Sequence, residues 1–351
     1  MVYPKVSIIL PTFNAENTIK TTIESLNNLK YENLEILVIN DGSTDNTIKI
    51  IEKISNSKKT KIINQKNGGV SVARNRGIEA ATGKYCFFID SDDVLEKNSI
   101  TKMVSMAEKE KLNLVCCNYS EFNSTKLKNK KEDINTSFIA SNKKQIAENY
   151  DVFFVQSACA KLINLYFLKK YHLVFNENMK LGEDLTFSLN LLSVVDKIGY
   201  VGSATYNIFN VNPTSLSKRY VSDLDKDIEL QDKVWNRFLE TNPYIKDIYL
   251  KRHINFEVYL LSVYFSNLFL FDCRLTGRVK LMKISDMIKS NINWLTSNER
   301  GTPQNKYQEI MCKVIYSNNK YFIFIFFLLK ERLRRLKFYL GRINSIKSKL
   351  I

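Results

Sequence analysis

The sequence predicts an α/β fold: a mostly parallel, doubly wound sheet followed by a mainly helical C-terminal region. Three observations carry this. Short apolar runs alternate with helix-period segments over the first 120 residues. Polar turns follow those runs, at the sheet edge where α/β folds bind ligands. Strand signals then fade beyond residue 220, where helical periodicity takes over.

Val6–Leu10 is a short apolar run, as a buried parallel strand should be. Asn14 offers an N-cap, and Ile19, Ile23 and Leu26 then fall on one helical face. Glu35–Ile39 reads as the second strand. Thr47–Ile54 is a helix, because Ile48, Ile51 and Ile54 recur at helical spacing. Lys61–Asn64 is a short third strand. Val70–Ala81 is helical and stops at Thr82-Gly83. Tyr85–Ile89 is a strand, Ser99–Lys111 a helix and Leu114–Asn118 a strand. Residues 121–150 are polar and rich in Lys and Asn, which suggests a surface excursion. The pattern resumes with helices near Asn164–Lys170 and Glu183–Val195, then strands near Ile198–Val201 and Thr205–Asn210. A domain boundary is expected near 220, giving a domain of residues 1–220 and a helical region of 221–351.

The chain has 351 residues, 44% of them apolar, which is enough for a substantial core. Its net charge of +16 points to an anionic partner. The excess is uneven: 29 basic and 23 acidic residues over 1–220, but 23 and 13 over 221–351. It clusters beside apolar residues at the tail and does not interleave with aromatics along a groove, so a nucleic-acid partner is not expected. Six Cys without CxxC spacing and only two His argue against a zinc site and for buried thiols in a reducing compartment. The N-terminus lacks signal-peptide order, and no run reaches 18 apolar residues. A cytoplasmic protein is expected.

Chemistry is sought in the turns after the strands. These are Pro11-Thr12-Phe13-Asn14, Asn40-Asp41-Gly42-Ser43-Thr44-Asp45 and Asp90-Ser91-Asp92-Asp93. Three carboxylates within four residues repel one another unless a cation sits among them. Oxygen-only donors suit Mg²⁺ or Mn²⁺. Taken alone, the same turn also fits a solvated helix start. Gly68 and Gly69 free the backbone before a helix carrying Arg74 and Arg76, an arrangement that can hold an anion. It is not a P-loop, and no G-x-G-x-x-G follows the first strand. Glu183-Asp184 opens a later helix, where acids also simply suit the macrodipole.

Read together, residues 6–93 resemble the family 2 glycosyltransferases with the GT-A fold, a Rossmann-like architecture. Their order and spacing match from Val6–Asn14 through Asn40–Asp45, Gly69–Gly77 and Gly83-Lys84-Tyr85 to Asp90–Asp93. The likeness continues more loosely to about residue 220 and is to members that build bacterial capsule, exopolysaccharide or O-antigen chains. It implies that Asp41 accepts the uracil N–H of a UDP-sugar and that Thr12 touches the same base. Asp90 resembles the ribose-side acid of the metal motif, Asp92 the ligand of Mn²⁺ or Mg²⁺, and Arg74 the basic residue near the donor. Asp184 resembles the catalytic base, with Glu183 second. Lys161, Tyr206 and Ser215 resemble acceptor-side residues. Asn40 stands where an Asp is common, Asn210 where an Arg is common, and Leu29-Lys30 where many members have Gln-Thr.

The implied activity is inverting, metal-dependent transfer of a sugar to a hydroxyl of a lipid-linked or growing saccharide. Two alternatives remain. A nucleotidyltransferase forming the nucleotide sugar would need a Gly-rich phosphate loop after the first strand, where Pro11-Thr12-Phe13-Asn14 stands. A non-catalytic partner protein on the same fold sits poorly with Asp41, Asp92 and Asp184 all present. Finally, Tyr321–Leu329 is uninterruptedly apolar, and Leu333, Leu336, Leu340 and Ile343 continue a helical face flanked by Lys and Arg. Such a helix, over about 321–345, is expected to lie on an anionic membrane surface, placing the protein on the inner face of the plasma membrane.

Overall fold

A computed structural model of the chain describes residues 3–56, 58–123, 126–130, 136–153, 155–209, 219–296 and 299–347. The described residues fall into two compact units, drawn from 1–212 with 233–245 and from 213–232 with 246–351. The expected boundary at 220 lies inside the first stretch of the second unit.

The first unit is built in chain order from β1 (Val6–Thr12), α1 (Ile19–Asn27), β2 (Leu34–Asn40), α2 (Thr47–Ile54), β3 (Thr60–Asn64), α3 (Val70–Ala80), β4 (Tyr85–Phe88), β5 (Val94–Leu95), α4 (Ser99–Glu110), β6 (Leu114–Asn123), β7 (Lys126–Lys130), β8 (Phe138–Ala140), α5 (Lys143–Glu148), β9 (Lys161–Asn164), α6 (Leu165–Lys170), α7 (Glu183–Val194) and β10 (Ile198–Phe209). The sheet runs β3-β2-β1-β4-β9-β6-β10-β5, with β7 on β6 and β8 on β10. Every residue of β1 is buried, as its apolar run requires. Fully burying side chains such as Ile8, Ile9 and Leu10 contributes roughly 1.5–3 kcal/mol each.

The sheet is mixed, where the sequence suggested mostly parallel pairing. β3, β2, β1 and β4 are parallel neighbours, and β6 with β10 is parallel. β9 is antiparallel to both β4 and β6. Helical crossovers impose parallel order only where they connect adjacent strands. The chain instead enters β9 from a turn beyond the carboxyl end of β4, with Ala160 at φ 59°. That turn thereby lies at the edge where the polar loops gather. The two strands expected over 198–210 are one strand with a register shift between Val201 and Thr205. The polar stretch 121–150 carries β7, β8 and α5. All six cysteines are free and buried, as expected.

The second unit is helical: α8 (Leu224–Thr241, whose last turns belong to the first unit), α9 (Ile245–Arg252), α10 (Phe256–Asn267), α11 (Gly277–Ser290), α12 (Ile292–Thr296), α13 (Lys306–Tyr316) and α14 (Lys320–Lys347). α10 buries residues all round, and Phe265 meets Phe327 of α14 at 5.7 Å between ring centroids. Among the described residues, no helix is long and apolar enough to cross a membrane.

Candidate active site

Asp41 follows β2 and is buried. Its Oδ1 accepts from the Gly68 N–H and from Gln65 Nε2, both at 2.8 Å, and its Oδ2 accepts from the Gly69 N–H at 2.8 Å. Gly69 has φ 92°, a conformation glycine adopts without strain, and it starts α3. Asp41 thus seats the first turn of α3 while leaving Oδ2 room for one further donor. Thr12 ends β1, is buried, and its carbonyl accepts the Asp41 N–H at 2.9 Å.

Arg74 lies on the next turn of α3 and is only 3% exposed. Its Nη1 donates to Asp184 Oδ1 at 2.5 Å and its Nη2 to Asp90 Oδ1 at 3.0 Å. Glu183 stands 3.8 Å from the same Nη1. One guanidinium therefore joins the acidic turn after β4 to the first turn of α7. Beneath it lies an aromatic floor. The Phe175 ring is 5.1 Å from the guanidinium carbon and stacks on Phe187 at 4.1 Å, with Phe88 edge-on to both. Burial alone would lower the acidity range of Arg74, but Asp184 and then Asp90 hold its pKa above the ordinary value.

The carboxylates answer the same forces. Burial pushes Asp184 up, and Arg74 pulls it back. The Ala158 N–H, on the turn before β9, also supports its ionised form. Burial and then Asp184 push Glu183 up to about 7. Gly182, at φ 90°, turns the chain so that both acids open α7. Burial raises Asp93 well above the usual carboxylate range, with Asp90 and then Asp92 adding to it.

Tyr206 and Lys161, expected on the acceptor side, are both fully buried. Tyr206 braces the acidic turn. Its hydroxyl accepts the Asp90 N–H at 3.2 Å and donates to Asp93 Oδ2 at 2.6 Å, while the Phe209 N–H reaches Asp93 Oδ1 at 3.0 Å. Lys161 donates to the carbonyl of Ser157 at 2.5 Å and to that of Cys159 at 3.4 Å, holding the turn that carries Ala158. Burial lowers its pKa. Ser215 and Asn210 lie outside the described residues.

Sequence reasoning missed three supports. Thr18 Oγ1 donates to the Ser91 carbonyl at 2.9 Å. Gln65 holds Asp41. Asn75, the neighbour of Arg74, donates to the Phe175 carbonyl and to Glu177 and accepts the Phe175 N–H, fixing the aromatic floor. The adjacency of a buried Asn to Arg74 was the available signal. Among the described residues, no group of three or more His, Cys, Asp or Glu is gathered to hold a metal. A cation that draws on phosphate oxygens needs only one or two carboxylates. Asp90, whose side chain is 36% exposed, and Asp92 two residues on supply an oxygen-only donor set that fits such an ion.

Residues 7–171 match the family model described as glycosyl transferase family 2. The chain is 28% identical over 233 residues to the Bacillus subtilis glycosyltransferase EpsJ, covering 65% of this chain and 67% of that one. It is 43% identical over 115 residues to the glycosyltransferase YibD of Escherichia coli, covering 32% of this chain and 33% of that one. To the chondroitin synthase of Pasteurella multocida it is 27% identical over 326 residues, 83% of this chain and 31% of that one. The chain thus spans about two thirds of the first relative and a third of the other two. Among solved structures, S. aureus TarS 1-349 in complex with UDP-GlcNAc is similar, with a TM-score of 0.65 at 18% identity, over 94% of this chain and 92% of that one. That likeness carries the fold, which is GT-A.

Proposed function

Since residues 7–171 form a family 2 glycosyltransferase domain, we propose that this chain transfers a sugar, with inversion, from a UDP-sugar to a hydroxyl of a lipid-linked or growing saccharide in surface polysaccharide synthesis. The observation that carries this is the guanidinium of Arg74, which draws Asp90 and Asp184 together from turns 94 residues apart in sequence. The UDP-GlcNAc held by the similar TarS supports the donor class, and the name of the similar chondroitin synthase supports a polysaccharide product.

Asp184 accepts the proton of the acceptor hydroxyl as that oxygen attacks the anomeric carbon. The C–O bond to the diphosphate breaks on the opposite face, so configuration inverts in one step. Arg74 counters the burial that would otherwise favour the neutral form of Asp184. Asp41 and Thr12 hold the uracil ring. Asp92 and Asp90 would hold Mn²⁺ or Mg²⁺, which when bound offsets the charge on the departing UDP. The protein works peripherally on the anionic inner face of the membrane, where a lipid-linked acceptor resides. UDP release from a panel of UDP-sugars, with saccharide acceptor and Mn²⁺ present, tests the reading. Acceptor-dependent release by the wild type and none by Asp184→Asn is the expected result. Release from no UDP-sugar would remove it.

A further inference from the structure

The apolar run that opens α14 divides between two faces. Ile323 and Phe327 point inward and are fully buried. Phe322, Ile325, Leu329, Leu333 and Leu336 point outward and are each between 51% and 60% exposed. Their spacings of three, four, four and three residues place them along one line of the helix. Polar residues normally occupy the outer line of a docked helix, so this stripe is an unpartnered apolar face about four turns long.

Its rim is cationic. Arg332 borders the stripe on the described helix, while Arg334 and Arg335 lie on the side of Glu331. Glu331 is the sole acid from Lys320 onward in the sequence, and it is buried, accepting from Arg334 at 2.7 and 2.8 Å and from Arg335 at 3.1 Å. Lys330 turns inward, donating to Ser266 Oγ at 2.9 Å. The sequence after Leu336 adds Lys337, Arg342, Lys347 and Lys349 and no acid. A second copy of this helix would therefore bring one excess of basic residues against another. A surface of negative headgroups over acyl chains satisfies both the stripe and its rim.

We propose that the outer face of α14 docks on an anionic lipid bilayer, with Phe322, Ile325, Leu329, Leu333 and Leu336 immersed and Arg332 among the headgroups. This rests on, and specifies, the peripheral membrane placement above. It does not depend on the donor chemistry.

The test uses the full chain and flotation with phosphatidylcholine vesicles, with and without phosphatidylglycerol. The wild type is expected to float with the anionic vesicles and far less with the neutral ones. Leu329→Ser/Leu333→Ser and, separately, Arg332→Glu are expected to lower the bound fraction about tenfold. Because these positions are exposed, the thermal unfolding midpoint should hold, and stabilisation by UDP without lipid should be unchanged. That lipid-free readout reports on the donor reading separately. No binding, equal binding to neutral vesicles, or full binding by the double variant would overturn the proposal. So would a wild-type dimer in light scattering that the double variant turns into a monomer, which would assign the stripe to a second copy.

Discussion

Arg74 Nη1 and Asp184 Oδ1 lie 2.5 Å apart, across 110 residues of sequence. The pair sits at the meeting of two elements, α3 and α7, and shares its cation with Asp90. A buried guanidinium shared by several acids opposes the pull of burial toward their neutral forms.

Asp184→Asn should retain UDP-sugar affinity and lose transfer by about 10²–10⁴-fold. Glu183→Gln, which leaves the 2.5 Å pair intact, should keep most of the rate. Isothermal titration for binding and single-turnover kinetics for transfer check both, and the reverse ranking would move the base to Glu183.

Chelation should abolish transfer, and added Mn²⁺ or Mg²⁺ should restore it. Asp92→Asn should raise the cation concentration needed for half-maximal rate. Full activity in EDTA would remove the metal role from Asp92.

Stability should fall with rising pH near neutrality. Glu183 is pushed from its ordinary 4.5 up to about 7, and Asp184 shifts the same way. The folded chain then holds protons that the unfolded chain has released, so the stabilising contribution is complete below 4.5 and is lost as pH rises through about 7. Glu183→Gln should flatten this decline, gaining on the order of 2 kcal/mol over the wild type on the alkaline side. Urea midpoints on either side of the window measure it.

Tyr206→Phe should leave Asp93 Oδ2 without its hydroxyl donor and cost about 1–3 kcal/mol of stability. It should also raise the KM for donor more than it lowers kcat, because the turn it braces carries Asp90 and Asp92. An unchanged KM would limit Tyr206 to a structural part.

Gly77→Ala should destabilise by about 1–3 kcal/mol. A Cβ there runs into Ile9 Cγ2 in the fully buried β1, so α3 must lift. Arg74 rides on that helix, and transfer should fall with it. Thermal melts and activity together check the link.

The strand and helix order through Asn118 was readable, except for the two-residue β5, because apolar runs in buried parallel strands are unmixed. β9 was not, because Lys161–Asn164 is four residues long and starts with a lysine, a pattern any loop could show. Asp41, Arg74, Asp90 and Asp184 stood out through their place after strands or at helix starts. The roles of Tyr206 and Lys161 did not, since burial of a hydroxyl or an ammonium depends on partners from the acidic turn after β4 and from the Ser157–Cys159 turn that no local spacing announces. The split of the α14 apolar run into two faces likewise needed the neighbouring α10 to claim one side.

The carboxylate of Asp41 already carries bonds that belong to the fold. The same two oxygens that a nucleobase would draw on are already pinning the leading amides of the helix that bears Arg74. A base hydrogen-bonded there would add to the bonds that anchor that helix start.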